Sequence, residues 1–86
     1  MTYTVRIERA AGKAFDRLPP ATKRRIAAAI DALAENPRHV GVIKLADSDN
    51  GYRVRVGQYR IVFTIDDPES RVSVVRIATR QGVYQP

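Results

Sequence analysis

The sequence predicts an α+β fold: an antiparallel sheet of about four strands with an N-terminal helical pair packed on one face. Three observations carry this. Helical periodicity is confined to residues 10–36, strand-like alternation dominates residues 51–79, and the late strands are joined by turns too short for a crossover. Two amphipathic helices need an apolar sheet face to cover, which gives helices on one side of the sheet. A chain of 86 residues is expected to form one domain, 1–86, with a small core.

Thr2 to Glu8 alternates, with Tyr3, Val5 and Ile7 set against Thr4, Arg6 and Glu8, and reads as a first strand. Ala11, Ala14, Phe15 and Leu18 recur at helical spacing over residues 10–18. Pro19-Pro20 ends that helix and starts the next, because proline is tolerated in a first turn. The second helix spans residues 20–36, with Ile26, Ala29, Ile30, Leu33 and Ala34 as its apolar stripe. Asn36-Pro37 stops it, since the residue before proline avoids the helical region. Residues 37–41 form a loop, residues 42–45 a short strand, and residues 47–51 a turn. Strands are expected at 51–57, 59–66 and 72–79, with a turn over 67–70 and a tail over 80–86.

The hairpin Tyr52-Arg53-Val54-Arg55-Val56-Gly57-Gln58-Tyr59-Arg60-Ile61-Val62-Phe63 fixes its own register. Gly57-Gln58 reads as a two-residue type II′ turn, because Gly tolerates positive φ at the first turn position. Val56 then faces Tyr59, Arg55 faces Arg60, Val54 faces Ile61, Arg53 faces Val62 and Tyr52 faces Phe63. Side chains alternate, so Tyr52, Val54, Val56, Tyr59, Ile61 and Phe63 form a core face, and Arg53, Arg55 and Arg60 share the other. Like charges directly opposite each other weaken a hairpin, so Arg55 across from Arg60 points to a bound anion. Pairing Arg60 with Arg76, Ile61 with Val75 and Tyr59 with Ile77 keeps one face of the next strand apolar. That register adds Arg76 and Arg80 to the arginine side, together with Val62, Val72 and Val74, an apolar strip suited to a partner chain. Taken singly, each arginine also fits a solvated strand position paired with Asp47, Asp49, Asp66, Asp67 or Glu69.

Charge narrows the function. Twelve arginines and three lysines leave a net charge of +6, which favours an anionic partner such as nucleic acid, an acidic protein segment or a membrane surface. A GC-rich genome explains arginine over lysine but not several arginines on one sheet face. There is no cysteine, and His39, expected to be exposed in a loop, is the one histidine. A thiolate metal site is therefore excluded, and one histidine without cysteine argues against a Ser-His or Cys-His nucleophilic pair. The Asp-rich turns match no calcium loop, and no glycine-rich phosphate loop occurs. No metal and no cofactor are expected. No apolar run approaches the roughly 20 residues of a membrane span, and a cytoplasmic location is expected. The remaining tools are arginine and tyrosine. Guanidinium groups bind phosphate in a bidentate way and lower the pKa of a neighbouring phenol, so Tyr84, close behind the last strand, fits either a tail aromatic covering the core edge or a base beside the arginines.

Lys44-Leu45, Gly51 to Phe63, and Arg76-Ile77-Ala78-Thr79-Arg80-Gln81-Gly82-Val83-Tyr84 together resemble the RelE/ParE superfamily of bacterial type II toxins. The likeness extends to the early strand, to Leu18-Pro19-Pro20 and to Asn36-Pro37-Arg38. In that superfamily the RelE branch comprises ribosome-dependent mRNA endoribonucleases, and the ParE branch poisons DNA gyrase on the same scaffold. The resemblance to the RelE branch implies cleavage by attack of a 2′-OH on the adjacent phosphate. It implies catalytic roles for Arg60, Arg80 and Tyr84, and substrate binding by Arg53 and Arg55, to which the strand register adds Arg76. It also implies a RelB-like antitoxin covering the basic face, contact with ribosome and mRNA, and operator DNA bound through the antitoxin complex. The chain departs from the best-known branch member in carrying arginine at the two strand positions where lysine is familiar, and Thr79 where many relatives carry histidine.

Overall fold

The structure, a computed structural model, describes residues 2–79. Its elements are β1 (Thr4–Ile7), α1 (Arg9–Asp16), α2 (Pro20–Glu35), β2 (Val42–Lys44), β3 (Gly51–Val56), β4 (Tyr59–Asp66) and β5 (Arg71–Thr79). The five strands form one sheet in the order β1-β5-β4-β3-β2. From β2 to β5 the sheet is an antiparallel meander, as the short turns require. β1 instead joins the far edge parallel to β5, with Val5 beside Val72 and Ile7 beside Val74. The sheet is therefore mixed and has five strands, one more than the four or so expected. No local turn ties β1 to its neighbour. Its place is fixed by long-range bonds: the Tyr3 amide donates to the Ala34 carbonyl, and the Glu8 amide to the Val74 carbonyl, both at 2.8 Å.

Both helices lie on one face. Pro20 occupies the start of α2, where its missing N–H is no loss. At the other end Asn36 is extended (φ −156°, ψ 98°) ahead of the fully buried Pro37, which closes the helix. Ala11 of α1 and Ile26, Ile30 and Leu33 of α2 are buried against Val54, Ile61, Phe63, Ile65, Val72, Val74 and Ile77 of the sheet. Phe63 is fully buried on the central strand and stacks on Tyr52 at 5.9 Å between ring centroids. No described helix is long and apolar enough to cross a membrane.

The β3–β4 hairpin has the register expected from its turn, pair for pair from Tyr52–Phe63 to Val56–Tyr59. Gly57 has φ +60°, and Gln58 is not among the described residues with positive φ, which fits type II′. The β4–β5 register differs. Arg60 pairs with Ala78, Ile61 with Ile77 and Val62 with Arg76, so the expected Arg60–Arg76, Ile61–Val75 and Tyr59–Ile77 pairs are each displaced by two residues. Between Val62 and Phe63 the register shifts, leaving Val75 as the extra residue of a bulge. Strict alternation cannot put Val72, Val74 and Ile77 on one face. The bulge does, and all three are buried in the core. Val72 and Val74 thus leave the arginine side, and of the apolar strip expected there Val62 remains, on a face that also carries Ala78 and the exposed Ile43.

Candidate active site

The face of the sheet away from the helices clusters four arginines on three adjacent strands, with Arg71 of β5 and Arg6 of β1 on the same face toward the β1 edge. Arg53 and Arg55 come from β3, Arg60 from the central strand β4, and Arg76 from β5. Arg55 sits directly across from Arg60, while Arg53 and Arg76 flank Val62 on its two sides. Strand spacing puts Arg55 and Arg60 roughly 5 Å apart at Cα, and Arg53 and Arg76 roughly 10 Å apart. The two-residue displacement of β5 leaves Arg76 on this face, because a shift by two preserves the side to which a residue points.

These arginines differ in solvation. Arg55 and Arg76 are exposed and Arg53 is half-buried, whereas Arg60 is only 3% exposed. It is the one buried charged side chain among the described residues. Its central strand, with Arg55 on one side and Ala78 on the other, accounts for part of this. A charge removed from water acts on a nearby anion through a lower effective dielectric and is less screened by salt. Arg53 and Arg55 make no ion pair with any described carboxylate. Of the acids expected to neutralise the strand arginines, Asp67 is paired with Arg38 and Glu69 with Arg71 at 3.9 Å. Arg80 and Tyr84, expected to complete the site, lie outside the described residues.

A second polar group escaped the sequence reading. Arg38 Nη1 and Nη2 donate to Asp67 Oδ1 and Oδ2 at 3.0 and 2.8 Å, and the Tyr3 hydroxyl donates to Oδ1 at 2.7 Å. The Arg38 guanidinium also lies 5.4 Å from the Tyr52 ring, with Lys44 Nζ 5.9 Å from the same ring. The hydrogen bonds from Arg38, then from Tyr3, hold the Asp67 carboxyl below its ordinary pKa. The same bond to Asp67 raises Tyr3 and, most of all, Arg38. This cluster ties the N-terminal segment, the loop after α2 and the β4–β5 turn together at one end of the sheet. Arg38 and Asp67 stand 29 residues apart, and no local pattern announces the pair. His39 is half-buried rather than exposed, and its Nδ1 donates to the Val40 carbonyl at 2.7 Å. It stands apart from the arginine face.

A family model described as "ParE toxin of type II toxin-antitoxin system, parDE" matches residues 3–84. The chain is 34% identical to Toxin RelE of Mycobacterium tuberculosis, over 96% of this chain and 87% of that one. It is 30% identical to Toxin RelG of the same organism, over 99% of both. Among solved structures it is similar to the archaeal RelE–RelB complex of Pyrococcus horikoshii, with TM-score 0.80 and 30% identity over 93% of this chain and 97% of that one. It is also similar to the RelBE2 toxin–antitoxin complex of Mycobacterium tuberculosis, with TM-score 0.81 and 25% identity over 93% of this chain and 100% of that one.

Proposed function

Because the chain belongs to the RelE/ParE superfamily of type II toxins, we propose that it is a metal-independent endoribonuclease that cuts mRNA in the ribosomal A site. The observation that carries this reading is the desolvated Arg60 on the central strand, faced by an Arg55 that no described acid neutralises. A sheet surface that keeps like charges opposed is suited to holding an anion between them.

In this reading the 2′-oxygen of the substrate attacks the adjacent phosphorus. A new 2′-O–P bond forms, the P–O5′ bond breaks, and the products are a 2′,3′-cyclic phosphate and a 5′-hydroxyl. The proton leaves the 2′-oxygen, and another must reach the departing 5′-oxygen. Arg60 stabilises the charge that builds on the non-bridging oxygens, since a preorganised guanidinium there needs no reorganisation as the charge develops. Arg53, Arg55 and Arg76 hold the RNA backbone. Arg80 grips the phosphate beside the leaving oxygen, and Tyr84 assists proton removal from the 2′-OH. Arginine at positions 53 and 55 favours phosphate holding over proton transfer, because guanidinium exchanges protons poorly. Proton removal then rests on Tyr84.

The partner in this reading is a RelB-like antitoxin. Related toxins are solved as complexes with RelB, and an acidic segment lying on the arginine face would occupy the substrate's place. Operator DNA would be bound through that complex. The test is cleavage of ribosome-bound mRNA by the wild-type chain, Arg60→Ala and Tyr84→Phe. Growth arrest with translating mRNA left whole would defeat the reading. One observation favours a second: the family model is described for the ParE toxin. A gyrase-directed inhibitor would use the same arginines as binding groups, and its expression would produce DNA damage with mRNA intact.

A further inference from the structure

A cleft of about 250 Å³ opens on the helix side of the β3–β4 hairpin tip, between the start of α2 and the turn. Thr22, Arg25, Val56, Gly57, Gln58 and Tyr59 line it. Its volume is just under the roughly 300–1,000 Å³ of pockets that engulf a drug-sized ligand, so it accommodates one unit of a larger ligand. The lining is unusual for its polar groups. Thr22, Arg25, Gln58 and Tyr59 make no hydrogen bond or ion pair between their side chains and any described residue. A guanidinium, a carboxamide, a hydroxyl and a phenol ring thus converge without satisfying one another.

Gly57 shapes the cleft. A Cβ there would lie 3.0 Å from Arg25 Nη2 and 3.3 Å from Nη1, so the missing side chain is what lets the guanidinium lie against the hairpin tip. A second observation is independent of the cleft. Lys23, Arg24 and Arg25 stand in sequence near the start of α2, which has no acidic residue in its first turn. Arg24 and Arg25 make no ion pair with any described acid. Lys23 is held over the Phe15 ring and by the Asp16 carbonyl, while Arg25 is turned to the cleft.

We propose that this cleft binds one nucleotide of an RNA strand that passes round the hairpin tip from the arginine face. Arg25 meets the phosphate or stacks on the base, the Tyr59 ring offers an aromatic wall, and Gln58 and Thr22 reach the base edge and ribose hydroxyls. That is the chemistry by which single-stranded RNA is recognised: aromatic and guanidinium planes for stacking, with amide and hydroxyl groups for edges. An acidic peptide would use Arg25 but leave the Gln58 and Tyr59 surfaces unexplained. The site is separate from Arg53, Arg55, Arg60 and Arg76, because Val56 and Tyr59 point to the side of the sheet opposite Arg55 and Arg60. The inference rests on the RNA-directed reading above and extends it to a second contact.

The experiment titrates the full-length chain with a short single-stranded RNA whose target 2′-hydroxyls are replaced by 2′-O-methyl groups, and follows backbone amides by NMR. Gly57 and Gln58 should shift on saturation. Arg25→Ala should weaken binding by about tenfold and Gln58→Ala by a few-fold, as expected for lost stacking and edge contacts. Arg24→Ala removes the same charge one residue away and should change affinity by less than about twofold. Equal losses for Arg24→Ala and Arg25→Ala would mean general electrostatics and overturn the proposal. So would shifts confined to Arg53, Arg55 and Arg76, or a response of the tip to an acidic peptide and not to RNA. Binding of wild type and Arg25→Ala to vacant and to mRNA-programmed ribosomes then separates two sources, each of which supports the site. A defect on vacant ribosomes identifies ribosomal RNA, and one seen only with message identifies mRNA. An intact tip response in a protein that fails to cut mRNA would defeat the nuclease reading and leave this site standing.

Discussion

Arg60 and Arg55 face each other across the hairpin but differ in solvation, and the difference sets how much each contributes. Two unit charges 4 Å apart interact by about 1 kcal/mol in bulk water and about 4 kcal/mol at the effective dielectric near a protein surface. Exposed Arg55 belongs near the lower figure, and Arg60, 3% exposed, belongs near the upper. Arg60→Ala should therefore slow mRNA cleavage by about 10²–10³-fold, the range for losing one preorganised donor at a developing charge. Arg55→Ala should slow it by about five- to tenfold. The Arg55 effect should fade as salt is raised, while the Arg60 effect persists, because buried charges are screened less. Removing Arg55 also relieves a like-charge pair, so that variant should gain about 0.2–1 kcal/mol of stability at low salt while losing activity. Single-turnover cleavage on programmed ribosomes, at two salt concentrations, measures the rates, and urea denaturation measures the stability. Equal losses from both substitutions, or an Arg60 effect that vanishes in salt, would refute the link between burial and contribution.

The Asp67 carboxyl is depressed by Arg38 and Tyr3, so its contribution is present above the ordinary carboxylate range and lost as pH falls through the folded value. Asp67→Asn should flatten the acid limb of a stability–pH curve below about pH 4 and leave its shape above that unchanged. Tyr3 is shifted up, so its contribution holds below about pH 10 and disappears above. Tyr3→Phe should therefore lower stability at neutral pH and converge with wild type in strong alkali, read by denaturant midpoints. Gly57→Ala places a Cβ at φ +60° and 3.0 Å from Arg25, and should cost about 1–3 kcal/mol of stability by thermal unfolding. Phe63→Ala empties a fully buried site on the central strand and should cost about 3–5 kcal/mol, enough to leave the chain largely unfolded by circular dichroism.

The parts legible in the sequence are those fixed by near neighbours. Pro19-Pro20 and Asn36-Pro37 bound the helices because proline acts on its own residue and the one before it. Gly57-Gln58 set six cross-strand pairs of the hairpin because a two-residue turn leaves one register open. The β4–β5 pairing was misread for the converse reason. A four-residue turn, with Ser70 at φ 51°, leaves the register free. The deciding fact was that Val72, Val74 and Ile77 must all be buried, which only a bulge at Val75 allows. The three-residue step from Val74 to Ile77 was the available signal. The Arg38–Asp67–Tyr3 cluster and the cleft at Arg25 join residues far apart in the chain, where local patterns carry no information.

The sequence by itself determined the helical pair, the meander, the hairpin and the presence of Arg53, Arg55 and Arg60 on one side of the sheet. These follow from turn geometry and the two-residue period of a strand. Tertiary structure alone decided that β1 closes the sheet in parallel, that the bulge returns Val72 and Val74 to the core, and that Arg60 is buried while Arg55 opposite it stays in water. Periodicity assigns a side chain to a face, but its solvation depends on the strand's place in the sheet and on what lies over it. That is a property of the assembled fold.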